Sequence, residues 1–269
     1  MPGGDFFRDH SNEINTLLTK FQSFPDISKT KIELWIENFS DQDRELALKV
    51  LDKVDYFSTA RIFTACRDIF TQLKTLKNND LSKVYFCNFG NPANSGQHLS
   101  SMFAAANGLT GSNSWRFKQV SELNDLSLER GITLVFLDDF VGTGNQVLDY
   151  WGGIASIVPQ DADVYLGIVC AFEEGIQNIQ ENTEMKVLCH ERLNDSNKLF
   201  SPSNPNFTQS EKDILINYCN STGSRIPQGY GNCQAIVVLS YRTPNNTVSI
   251  LSVQNENWNG IFPRHHNYS

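Results

Sequence analysis

The run from Leu134 to Gln146, LVFLDDFVGTGNQ, restricts the fold more than any other stretch of this chain. Leu134, Val135, Phe136 and Leu137 are apolar in succession and cannot alternate between a wet and a dry face, so they suit a parallel strand covered on both sides. Asp138 and Asp139 follow at the carboxyl end of that strand, the edge at which open α/β sheets bind ligands. Two carboxylates there can accept hydrogen bonds from vicinal hydroxyls or hold a hydrated Mg²⁺. The turn Gly142-Thr143-Gly144-Asn145 comes next. Its glycines permit a tight bend that aims successive amides at one point, where the first turn of a following helix adds partial positive charge. Carboxylates for a diol beside amides for a phosphate describe a site for a ribose 5-phosphate. The plainer reading is a strand-to-helix turn capped by aspartate, but one Asp suffices for a cap. A Walker-type loop fits less well still, because no Gly-Lys-Ser or Gly-Lys-Thr occurs and the glycines follow the acidic pair.

A chain of 269 residues with 40% hydrophobic and 19% charged residues can bury a sizeable core. A net charge of -8 argues against autonomous nucleic-acid binding. No stretch approaches the length of a membrane span, and Met1-Pro-Gly-Gly-Asp lacks the basic and then apolar pattern of a signal segment, so a cytoplasmic location and no membrane partner are expected. The six cysteines are scattered without a CxxC pair, mostly in apolar runs such as Ile168-Val169-Cys170, and read as buried free thiols. The five histidines show no metal spacing, and His265 and His266 read as tail residues.

Residues 1 to about 78 read as helices, with Ser40 opening a capping-box-like start and Ser58 beginning a second helix. Lys77-Asn78-Asn79-Asp80 marks a polar boundary, and from there strand and helix alternate as in a parallel α/β sheet. The expected organisation is a helical N-terminal segment over 1–78 packed on an α/β domain over 79–269. Strands are expected at 84–89, 134–137, 164–171, 185–189, 235–241 and 248–253, with a turn at Pro244-Asn245-Asn246-Thr247. Helices are expected from near His98, after Gln146, over 173–180 and from Thr208. Glu173 and Glu174 open one of these helices and read as capping charges or as activators of a nucleophile. The loop Asn94-Ser95-Gly96-Gln97-His98 is a second amide-rich helix entrance on the same sheet edge. Arg264 and Arg225 can clamp a diphosphate with planar donors, or serve as surface pairs and a tail anchor.

The acidic pair followed by a short Thr and Gly loop resembles the phosphoribosyltransferase signature, whose ligand is phosphoribosyl pyrophosphate (PRPP). That resemblance implies a type I phosphoribosyltransferase-like fold: a central parallel sheet flanked by helices, here with an N-terminal helical segment and a C-terminal β extension. It places Asp138 and Asp139 on the ribose hydroxyls and on Mg²⁺, directly or through water. It places Gly142, Thr143, Gly144, Asn145 and Gln146 around the 5′-phosphate, and Ser95 and Gly96 at the diphosphate, with Arg264 as a further donor. Gly142 stands where purine-type members carry an Asp, and Gln146 replaces their closing hydroxyl, which speaks against purine salvage. Trp35, the segment LALKVLDKVDYFS over 46–58, Gly229-Tyr230-Gly231-Asn232, Pro244 to Thr247 and Ile261-Phe262-Pro263-Arg264 extend the likeness. Together with Ser95-Gly96 and the Asp138-to-Gly142 run they resemble a divergent phosphoribosyltransferase-like family of bacterial conflict and anti-phage loci, including retron-associated effectors. The implied function is a phosphoribosyltransferase-like toxin or effector in antiviral defence, with protein partners that include a reverse transcriptase carrying its DNA product. The alternatives are an inactive nucleotide-binding regulatory or docking module and a nucleotide glycosidase.

Overall fold

The computed structural model describes residues 3–89 and 96–264. Its first helices are α1 (Gly3–Asp9), α2 (Ser11–Phe21), α3 (Lys29–Ile36) and α4 (Arg44–Lys53), followed by strand β1 (Asp55–Phe57) and helix α5 (Thr59–Leu76). The middle of the chain runs β2 (Val84–Asn88), α6 (Gly96–Ala106), β3 (Phe117–Lys118), β4 (Thr133–Val141), α7 (Asn145–Ile154), β5 (Asp163–Phe172), α8 (Glu173–Asn182) and β6 (Lys186–Leu193). The last elements are α9 (Gln209–Ser221), β7 (Val237–Leu239) and α10 (Ser249–Ser252). The chain divides into two compact units, residues 1–59 with 195–269, and residues 60–194. The polar stretch from Lys77 to Asp80 therefore joins α5 to β2 within the second unit.

The second unit is a five-stranded sheet in the order β3-β2-β4-β5-β6 with every pair parallel. The α/β expectation is met here. Numbered along the chain, its strands follow the doubly wound order 2-1-3-4-5, so the direction of winding reverses between β2 and β4. Helices cover both faces. Phe86 packs on Phe70 of α5 and Phe103 of α6, whereas Phe136 meets Trp151 of α7 at 5.9 Å on the other side. Leu134, Val135, Phe136 and Leu137 are all fully buried, as an unbroken apolar run in a doubly covered strand requires.

The first unit is mainly helical, with β1 and β7 paired in parallel. Phe262 is ringed edge-on by Phe21 and Phe24 at 4.9 and 5.0 Å. The indole N–H groups of Trp35 and Trp258 both donate to the Ile250 carbonyl, at 2.6 and 3.0 Å, which satisfies both lone pairs of a buried acceptor. Three local expectations are corrected. The stretch before residue 78 includes a strand, β1, because Asp55 to Phe57 finds a partner strand from the distant end of the chain. The helix expected from Ser40 begins at Arg44, and the Ser40 hydroxyl instead donates to the Asp43 carboxylate. The apolar run 248–253 folds as the short buried helix α10 and not as a strand, since a run this short fits either a strand or a core helix.

Candidate functional site

Asp138 and Asp139 lie near the carboxyl end of strand β4, just past the carboxyl end of β2, where Asn88 pairs with Leu137. Adjacent strand residues project to opposite faces, so the two carboxylates occupy different environments. Asp139 is 1% exposed, whereas Asp138 is partly exposed and its Oδ1 accepts from the Asp139 amide at 2.8 Å. Both stand at the reversal point of the sheet, the place at which open α/β sheets bind ligands.

The chain leaves β4 through Gly142 and Thr143 and enters α7 at Gly144, which has φ 83° and ψ -16°. This left-handed conformation is costly for any residue with a Cβ, and a Cβ here would stand 2.8 Å from the Gly175 carbonyl. The turn rests on the first turns of α8. A Cβ on Gly175 would come within 2.1 Å of the Gly142 carbonyl oxygen, so two glycines are needed where loop and helix touch. Asn178, one turn further along α8, donates through Nδ2 to the Thr143 carbonyl at 2.8 Å and to Asn145 Oδ1 at 3.1 Å. Asn145 and Gln146 form the first turn of α7, whose amides helix geometry leaves without partners inside the helix. Such a turn is chemically an anion receptor.

The structure thus brings Asp138, Asp139 and residues Gly142 to Gln146 onto one sheet edge, together with Gly96, which opens α6 after β2. α6 is held to that edge by the Ser100 hydroxyl, which donates to the Asn88 side chain. Ser95 and the rest of the loop from Gly90 to Asn94 lie outside the described residues, as do His265 and His266. Glu173 opens α8 and pairs with Arg192 at 3.1 Å. Arg264 belongs to the first unit, where its Nη2 donates to the carbonyls of Asn245 at 3.2 Å and Thr247 at 2.7 Å. Burial, followed by the neighbouring Arg242, lowers its pKa to about 10. The same knot includes Tyr230, whose amide donates to Asn245 at 2.8 Å, and Asn246, which donates to the Tyr230 carbonyl at 3.1 Å. Gly175 and Asn178 escaped the sequence reading, having no mark beyond their place in a plain amphipathic helix.

A family model described as PRTase-CE matches residues 32–264. The chain belongs to the PRTase-CE family. It is therefore phosphoribosyltransferase-like, in agreement with its five-stranded parallel sheet and flanking helices. The matched span covers the acidic pair, the glycine turn and the Arg264 knot alike. No curated protein matches the chain. No helix among the described residues is long and apolar enough to cross a membrane.

Among those residues no group of three or more His, Cys, Asp and Glu side chains forms a metal site. The donors at the edge, the partly exposed Asp138 with Asp139 behind it, suit a different arrangement. Mg²⁺ commonly takes one or two carboxylates when substrate phosphates and water complete its shell.

Proposed function

We propose that the protein binds PRPP, or a related ribose 5-phosphate, at the sheet edge between β2 and β4 and transfers its phosphoribosyl group. The observation that carries this reading is the acidic pair of β4 running directly into a glycine turn at the entrance of α7, at the reversal point of the sheet. In the reaction the bond from the anomeric carbon to diphosphate breaks, diphosphate departs with the electron pair, and the acceptor forms the new bond and sheds its proton. Asp138 would orient the ribose hydroxyls, and the negative charge of both aspartates favours the cationic anomeric carbon. Residues Gly142 to Gln146 would hold the 5′-phosphate, and Gly96 with Ser95 the diphosphate. Mg²⁺ held by Asp138 would supply charge neutralisation for the diphosphate when bound.

Calorimetry with PRPP and Mg²⁺ tests the reading. Saturable binding is expected for the native protein and none for Gly144→Val, whose side chain meets α8 and whose backbone resists the left-handed turn. Absence of binding by the native protein would overturn it. Mass spectrometry after incubation with labelled PRPP, Mg²⁺ and cell extract identifies the acceptor. A module that holds its ligand without turnover is the second reading, favoured by Gly142 and Gln146 standing where transferases carry functional side chains; failure to release diphosphate would select it.

In the cell, the resemblance to phosphoribosyltransferase-like proteins of anti-phage loci supports a role as a defence effector held in check by partners, among them a reverse transcriptase with its DNA product. The charge of -8 supports leaving nucleic-acid recognition to those partners. Co-purification with the products of neighbouring genes is the expected result.

A further inference from the structure

We infer that Asn178 is the positioning residue that aims the amides of the Gly142–Gly144 turn, and that it thereby sets the preference for ribosides that carry a 5-phosphate. This rests on the ribose 5-phosphate reading above. In a trans peptide the C=O and N–H point in opposite directions, and no cis bond occurs among the described residues. Asn178 Nδ2 draws the Thr143 carbonyl toward α8 at 2.8 Å, so the Gly144 N–H of the same peptide unit points away from α8. The Gly142 carbonyl also faces α8, being the atom a Cβ on Gly175 would strike at 2.1 Å. The Thr143 N–H therefore points away as well. Two successive amides turned to one side make a concave anion receptor.

Asn178 is itself held in place. Its Oδ1 accepts from Asn182 Nδ2 at 3.1 Å, which fixes the amide with its nitrogen toward the turn. The same Nδ2 donates to Asn145 Oδ1 at 3.1 Å, so one side chain ties the turn, the start of α7 and the body of α8 together.

Asn178→Asp places a carboxylate oxygen against the Thr143 carbonyl and should turn that peptide unit. Its affinity for PRPP with Mg²⁺ is compared by calorimetry with its affinity for ribose 1-diphosphate, the same molecule without the 5-phosphate. Thermal unfolding checks the fold, and Asn178→Ala replaces the variant where Asn178→Asp does not fold. At least a tenfold loss of PRPP affinity is expected, with ribose 1-diphosphate affinity unchanged. PRPP affinity within twofold of the native protein, or parallel weakening of both ligands, would overturn the inference while sparing the site. A native protein that binds neither ligand would overturn the ribose 5-phosphate reading and this inference with it.

Discussion

Asp138 and Asp139 are chain neighbours with unlike surroundings, and their substitution should separate binding from stability. Asp138 is the accessible member. Asp138→Asn keeps its shape and removes its charge, so PRPP affinity should fall by about tenfold or more, the loss of a charge-assisted hydrogen bond, with a melting temperature close to native. Unchanged affinity would remove Asp138 from the site. Gly175→Ala should act on stability first, because its methyl group must displace backbone; a loss of about 1–3 kcal/mol is expected in urea unfolding. A native midpoint would mean that the turn and α8 are free to part. Asp138, Asp139 and the glycine turn were legible in the sequence because their chemistry is written in one unbroken run. Gly175 and Asn178 were not, since the role of each arises from an approach between residues 33 to 35 positions apart in the chain. The role of Gly229, where a Cβ would stand 1.9 Å from the Asn246 carbonyl oxygen, was equally illegible, because only the folded chain brings that carbonyl near.

At the level of elements, Asp163 at the start of β5 joins α5 to β6. It accepts from Lys77 and from Lys186, the latter at 2.6 Å, and from the Tyr165 hydroxyl at 3.0 Å. Burial raises its pKa, but the hydrogen bonds from Lys186, Lys77 and Tyr165 together outweigh burial and leave it below the usual carboxylate value. A carboxyl whose folded pKa is lower than its unfolded one adds stability above the unfolded value, about 3.9, and loses it as pH falls through the folded value. Asp163→Asn should therefore cost about 1 kcal/mol near pH 7, and its melting curve should converge on that of the native protein below about pH 4. A gap that persists in acid would assign the effect to packing. Among the elements themselves, β4, β5 and the helix α7 between them were readable because each is long and strongly patterned. β6 extends beyond the expected 185–189 to Leu193, since an edge strand carries polar residues such as His190, Glu191 and Arg192 that no apolar pattern marks. β1, β3 and β7 have two or three residues each and exist only through their neighbours.

Across the whole molecule all six cysteines are buried and none is in a disulfide. Burial is the leading cause that drives the thiols of Cys66, Cys87, Cys189 and Cys219 up to about 12, far from the thiolate form that reacts. A disulfide reagent at pH 8 should label almost no thiol in the native protein and all six after denaturation; rapid labelling of the folded chain would contradict this. The composition reading of these residues as buried hydrophobes is met. The two units have very different relations to chain order. The second, with its acidic pair and glycine turn, is one continuous stretch, whereas the first draws its core from both flanks of that stretch. The Trp35 indole waits for the carbonyl of Ile250, 215 residues later. On the ribosome, where a chain emerges at about 5–20 residues per second, the sheet that bears the candidate site can close while the helical unit still lacks half its interior. Newly made chains would then pass through an interval in which the aromatic residues of the first helices are exposed beside a finished α/β unit, which makes residues 1–59 the part of the protein most dependent on chaperone cover during synthesis.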